Sequence, residues 1–429
     1  MFSFITDKIQ GVTGRIKGDV HLQQASSLFT WNLIAIPINL AINFFLTRYM
    51  GAEDYGNYSF MVRTFSLACI LVNLGLFRSV GRSVLLTNDE NRIREYYGVS
   101  LLAWIFTSVL SFILLFIYAF ASNNVAEKGI LSEFLILIPL CSVQLLNSAN
   151  ECILPSSNKI KLLIVQRYFP RIFLMICAIA LFFLYQECGF KFLLCVCLLY
   201  GAMFLVYLYV GCKIKPRMTN IRQRIKEVLK IDKEYGIKVY SGDLLSNAFV
   251  ALMPLLISLF SLSNADVGFY SLALTLCTPM NFIPGAIMTS HFKKFSTYKE
   301  IPKKVFKVTI LASLACLIVL WIFITPFVNI FFTPEYHPVI LLTIVTSVGT
   351  FLYGMSDFLS RYLSSQGDGV ALRNSSIAVG FVTLVCSLIL ISRFGAMGAA
   401  ITHGIAGICY VFIIFAYYRK CVKRNYSKQ

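Results

Sequence analysis

The chain has 429 residues, 58% of them hydrophobic, 14% aromatic and 14% charged, with a mean hydropathy of +0.74 and a formal net charge of +18. Soluble domains carry about 25% charged residues, so this composition excludes an ordinary water-soluble globule and points to lipid as the solvent. The basic residues are spread segment by segment instead of forming one patch, which argues against nucleic acid as the partner.

Residues 1–27 mix charges with scattered apolar side chains and lack an apolar run followed by a small-residue cleavage site, so a cytoplasmic N-terminal segment is expected, not a removable signal peptide. A helix needs about 20 mostly apolar residues to cross a bilayer. Runs of that kind predict spans near 28–47, 58–80, 97–120, 132–154, 167–187 and 190–212, an N-terminal lobe of six helices over 28–212. A basic linker, 213–236, follows, with Met218, Ile221, Ile225, Val228 and Leu229 on one helical face. It reads either as an amphipathic helix on the inner leaflet or as a solvated connection. Six further runs near 237–261, 268–289, 305–332, 338–360, 374–394 and 396–418 make a C-terminal lobe over 237–418, and 419–429 is a basic tail. The expected fold is all-α: a polytopic membrane protein of about twelve transmembrane helices in two six-helix lobes around a central cavity.

Of the 38 Lys and Arg, only Arg48, Lys128, Lys191 and Arg393 fall in the loops of one side, and Arg63 lies inside a span. The others cluster on the opposite side, which the positive-inside rule assigns to the cytoplasm together with both ends of the chain. Thirteen cysteines lie mostly within spans and read as small packing residues, Cys188 being the one in an outer loop. Cys195 and Cys197 are two apart on a helix and point away from each other, so no metal site is expected there.

An internal repeat is visible. "RYMGAEDYGNYSF" matches "LFSLSNADVGFYSLA" through Gly56/Gly268 and Tyr58/Tyr270 at an offset of 212, and Arg167/Arg373 and Gly189/Gly395 match at 206. Each half holds an even number of spans, the plan of parallel-repeat transporters, in which one half rocks against the other.

Polar residues form stripes on the repeat-related spans. Asn32, Asn39 and Asn43 share a face of span 1; Arg63, Ser66 and Asn73 share one on span 2. Asp243, Asn247 and Ser258 lie along span 7, and Ser271, Thr275 and Thr278 along span 8. Such groups serve either as interhelical hydrogen bonds or as the wall of a hydrated cavity. Arg63, placed in the first turns of span 2 near the outer face, suits an anionic ligand or snorkels to headgroups. Asp243 and Glu151 are the candidates for ion coupling, each with a capping or interfacial alternative. Asp357 and Arg361, four apart on span 10, read as a helical ion pair. Pro37, Pro254, Pro279 and Pro284 interrupt spans 1, 7 and 8 and are candidate hinges. No Walker motif, histidine cluster or long outer loop is present, the longest being "ASNNVAEKGILS"; no catalytic residue, metal or cofactor is expected.

Four segments, "RYMGAEDYGNYSF", "LVNLGLFRSVGR", "NADVGFYSLALTLCTPMNFIPGAI" and "ISRFGAMGAAITHGIAG", resemble the bacterial polysaccharide repeat-unit (Wzx-type) flippases. These form a branch of the multidrug/oligosaccharidyl-lipid/polysaccharide exporter superfamily. The resemblance implies transfer of an undecaprenyl-pyrophosphate-linked oligosaccharide from the inner to the outer leaflet of the bacterial inner membrane, for O-antigen, capsule or a related polymer. It also implies a basic cavity, with Arg63 best placed and Arg48 and Arg78 at the ends of spans 1 and 2. A polysaccharide polymerase and a chain-length regulator are the partners it brings with it. The rival readings are a small-molecule exporter of the same superfamily and a membrane glycan polymerase.

Overall fold

The computed structural model describes residues 20–184, 190–295 and 298–427; most of the predicted N-terminal segment and the outer-loop Cys188 lie outside them. Every regular element in those residues is helical. In lipid no water is available to satisfy backbone amides, so a chain this apolar must pair them within helices.

The first helix, α1 (Val20–Val72), does not stop at the loop expected near residues 48–57. It turns at one residue, Gly51, with φ 76 and ψ 179, and continues; a side chain would oppose that conformation. The second limb therefore starts earlier than 58 and ends at Val72, where the "NLG" turn leads into α2 (Leu76–Leu85). That short helix buries Phe77, Val80 and Val84 on one side and exposes Arg78 and Arg82 on the other, so it lies beneath the bundle and does not extend span 2 to residue 80.

Helix α3 (Glu90–Ala121) crosses next, and the short α4 (Asn123–Glu127) leads through α5 (Leu131–Leu137) into α6 (Cys141–Ser156). Then come α7 (Ile160–Leu184) and α8 (Lys191–Ile214). The linker forms α9 (Ile221–Ile231) and a π-turn (Asp232–Gly236), which opens α10 (Ile237–Phe260).

Helix α11 (Ala265–Cys277) breaks into a 3-10 turn at Thr278–Asn281 before α12 (Phe282–Phe295). Pro279 sits in that break, whereas Pro37 and Pro254 are carried inside continuous helices. Helices α13 (Lys303–Phe331) and α14 (Pro338–Ser365) precede α15 (Gly369–Ser427), which is turned at Gly395 (φ 54) as α1 is at Gly51. Nine helices among the described residues are long and apolar enough to cross a membrane.

Candidate functional site

The two halves interlock at the charge-poor end. The turn in α1 leaves backbone groups without helical partners, and the other half supplies them. Glu335 accepts from the Ala52 amide at 3.2 Å, and the Tyr336 hydroxyl donates to the Gly51 carbonyl at 3.0 Å. Arg48 donates to the carbonyls of Phe331 and Ile330 at 3.0 and 3.2 Å, where the C-terminus of α13 carries partial negative charge. Its expected place in a substrate cavity is thus taken by an exposed contact between halves.

Beside it, Asn264 donates to Asn57 at 2.8 Å and accepts from Ser258 at 2.6 Å and from the Lys128 ammonium at 2.9 Å. Lys128 also donates to the Ser258 carbonyl and hydroxyl, and Asn124 donates to Ser258 at 2.9 Å. Burial pushes the Lys128 ammonium down to about 8, with Asp266 and Glu127 opposing that shift.

The repeat glycines meet here. A β-carbon on Gly268 would lie 3.1 Å from the Gly56 Cα, and one on Gly56 would lie 2.1 Å from the Asn264 carbonyl oxygen. Equivalent residues of two repeats touch each other where an axis relating them passes.

Arg63 lies twelve residues beyond the turn at Gly51, about 18 Å or three turns along the second limb, not in its first turns as expected. The earlier start of the limb is the reason. Its guanidinium is exposed and acts electrostatically on Tyr55 and Tyr58 of its own helix and on Tyr270 of α11 in the other half. Among the described residues no hydrogen bond or salt bridge holds it.

The asparagines divide. Asn43 is engaged within α1, accepting from Tyr55 at 2.5 Å and donating to the Asn39 carbonyl at 2.6 Å. Asn32 accepts from the Tyr168 hydroxyl at 2.8 Å, half-buried Asn39 lies between them, and Asn73 forms the turn before α2, where its carbonyl accepts from Leu76 at 3.1 Å. Arg78 is exposed at the basic end. The side chains of Asp243 and Asn247 lie outside the described residues.

Glu151 is not a free carboxylate for ion coupling: Arg167 grips it through two bonds of 2.8 and 2.5 Å. One turn on, Arg171 lies 5.9 Å over the Tyr168 ring with no salt bridge among the described residues. The ion pair expected between Asp357 and Arg361 is not formed; Asp357 instead accepts from Tyr410 of α15 at 3.4 Å. Arg171, and the pairing of Asp357 with Tyr410, escaped the sequence reading. The only signal for Arg171 was a second arginine four residues after Arg167.

At the basic end the linker is held against the protein by buried ion pairs. Arg224, 6% exposed, donates to Glu95 at 2.7 Å and to Glu227 at 2.8 and 2.7 Å, and Tyr96 donates to Glu227 at 2.7 Å. Those bonds to Glu95 and Glu227 hold Arg224 above its ordinary range. Burial pushes the Glu227 carboxyl up, but Arg224 and Tyr96 outweigh it and leave it below the usual carboxylate range. Ser79 of α2 donates to Asp232 at 2.7 Å, fixing the start of α10.

A multi-pass helical bundle whose halves are locked at one end and carry an exposed arginine on a long helical limb has the architecture of a membrane transporter. The structure is similar to lipid II flippase MurJ in an inward closed conformation, with a TM-score of 0.69 at 14% identity over 92% of this chain and 89% of that one. It is also similar to a multidrug resistance MATE family transporter of the MOP superfamily in an inward-facing conformation, with 0.68 at 14% over 91% and 95%. An outward-facing one gives 0.54 at 11% over 92% and 94%. No curated protein matches the chain significantly by sequence. Residues 21–296 match the family model described as polysaccharide biosynthesis protein, and the chain belongs to that family.

Proposed function

We propose that the chain flips an undecaprenyl-pyrophosphate-linked oligosaccharide from the cytoplasmic to the outer leaflet of a bacterial inner membrane by alternating access. Polymerisation into O-antigen, capsule or a related glycan follows. The observation that carries this reading is Arg63, an exposed guanidinium with no salt bridge among the described residues, about 18 Å along its limb from the turn at Gly51, a depth near mid-membrane if that turn lies at the outer surface. A charge there costs at least about 2.5 kcal/mol. A pyrophosphate headgroup crossing between leaflets would repay it with bidentate bonds. Membership of a polysaccharide biosynthesis family supplies the glycan, and the fold shared with a lipid II flippase supports a lipid-linked cargo.

Dividing α1 and α15 at their glycine turns and counting α10 gives twelve crossings in two lobes, 28–212 and 237–418, joined by the linker 213–236. Basic segments then place both ends in the cytoplasm and the interlocked end outside. The outer closure, and the higher similarity to the inward-facing transporter than to the outward-facing one, support an inward-facing state. Arg171 near the basic end would meet the anionic head first. Asn32, Asn39 and Asn73 line the route to Arg63. With Glu151 paired, ion coupling falls to Asp243 or to Asp357, which shares a hydrogen bond with Tyr410. No enzymatic role is proposed; a polymerase and a chain-length regulator would act on the flipped unit.

The exporter fold shared with multidrug transporters keeps a second reading open to test. In a strain lacking this protein, lipid-linked repeat units should accumulate on the inner leaflet and polymer should vanish. The wild type should restore it, and Arg63→Ala should lower restoration by about tenfold or more. Unchanged polymer together with sensitivity to toxic compounds would replace the flippase with an exporter.

A further inference from the structure

The last limb of α15 presents Ile405, Ile408 and Phe412, exposed by 37%, 47% and 72%, at spacings of three and four. Helical geometry puts such residues on one stripe. The same stripe continues through Phe415 and Ala416 to Arg419 and Lys423 at the basic end. From Ile405 to Arg419 the rise is about 21 Å, enough for one leaflet's half of a hydrocarbon core of about 30 Å plus part of the headgroup zone.

At the foot of the stripe lies a groove of about 750 Å³, with Phe415, Tyr418, Arg419, Lys420 and Lys423 on one wall and Glu300 on the other. The walls are tied together. The Ile301 amide donates to the Tyr418 hydroxyl at 3.2 Å, and Tyr362 donates to the carbonyls of Lys299 and Tyr298 at 2.6 and 3.1 Å. Gln366 donates to the same Tyr298 carbonyl at 3.1 Å. Arg419 lies 5.3 Å over the Phe415 ring, which holds its guanidinium beside the groove. Among the described residues no salt bridge takes up Arg419, Lys420, Lys423 or Glu300, leaving three cations against one carboxylate around a single concavity.

We infer that this groove binds the phosphate headgroup of an anionic phospholipid of the adjoining leaflet, with the acyl chains laid along Ile405, Ile408 and Phe412. Basic flanks attract anionic lipid in general. What sets this one apart is the fixed concave wall and the apolar track that enters it. The site is independent of the transported cargo; only the naming of the leaflet as cytoplasmic rests on the orientation proposed above.

The test is native mass spectrometry of the purified full chain titrated with phosphatidylglycerol or phosphatidylcholine. The groove variant Arg419→Gln/Lys420→Gln/Lys423→Gln is compared with a control that removes three exposed cations from the start of α13, Lys303→Gln/Lys304→Gln/Lys307→Gln. All six are exposed, so both variants should keep the wild-type melting temperature. The wild type should prefer phosphatidylglycerol. The groove variant should lose about tenfold in that affinity and the control less than about twofold. Glu300→Gln should strengthen binding. Equal losses in both variants would reduce the effect to diffuse charge and overturn the site, as would a wild type without lipid preference. Displacement of the lipid by inorganic phosphate alone would make it a free-phosphate site and overturn the lipid assignment.

Discussion

Gly56 has no room for a side chain, because the Asn264 carbonyl sits where a β-carbon would go. Gly56→Val must therefore push the halves apart at the charge-poor end, at an overpacking cost of about 1–3 kcal/mol. Probes on Ala126 and Leu262 should report a longer distance by electron paramagnetic resonance in that variant, whereas an unchanged distance would mean that the contact does not hold the halves together. Lys128 adds a pH dependence with a definite sign. Its pKa is about 8 in the closed arrangement, below the ordinary value near 10.4, so the closed form binds fewer protons between those limits. Closure carries the full burial penalty below pH 8 and gains stability as pH rises from about 8 to about 10. The same distance should shorten over that window in the wild type and stay flat in Lys128→Gln. Gly56 was legible in the sequence through its repeat partner Gly268, and Arg63 through its charge in an apolar run. Lys128 was visible only as one of four outer basic residues, since nothing local reveals that Asn264 and Ser258, more than a hundred residues on, come to meet it.

Helix α1 shows why element boundaries were harder to read than elements. The segment "RYMGAEDYGNYSF" carries Gly, Asp, Glu and Asn, the composition of a loop, yet it is helical except at Gly51. Glu335 and Tyr336 pair the backbone groups freed at that turn, so the helix tolerates residues that would end it in water. Tertiary contacts from another half are not encoded in local composition. The linker makes the same point: its apolar face was legible, but Arg224 looked like one more solvated cation until Glu95 enclosed it. Glu95→Ala leaves that buried guanidinium with Glu227 alone and its Nε without an acceptor, which should cost about 1–3 kcal/mol. Hydrogen exchange should then show α9 losing protection ahead of α3, and an α9 as protected as in the wild type would show that the pair does not dock it. Glu227 adds acid sensitivity. Its lowered pKa means that its contribution is present above about pH 4.3 and is lost as pH falls through the lower folded value.

At the scale of the whole molecule, composition and charge alternation were enough to read an all-α membrane protein with two similar halves, because the bilayer constrains sequence more tightly than water does. Where the halves touch was not legible, since it depends on the conformational state. The contacts at the charge-poor end have to break for that end to open, and alternating access requires this closure to alternate with one at the basic end. The most direct measurement is the transfer of a fluorescent undecaprenyl-pyrophosphate-linked oligosaccharide between leaflets of proteoliposomes. It uses a chain without native cysteines that carries Asn57→Cys and Asn264→Cys, positions whose amides are 2.8 Å apart. Alternating access predicts transfer in the reduced protein, arrest when the pair is cross-linked and recovery on reduction. Transfer at the same rate in cross-linked protein, or at the rate of empty vesicles in reduced protein, would contradict it.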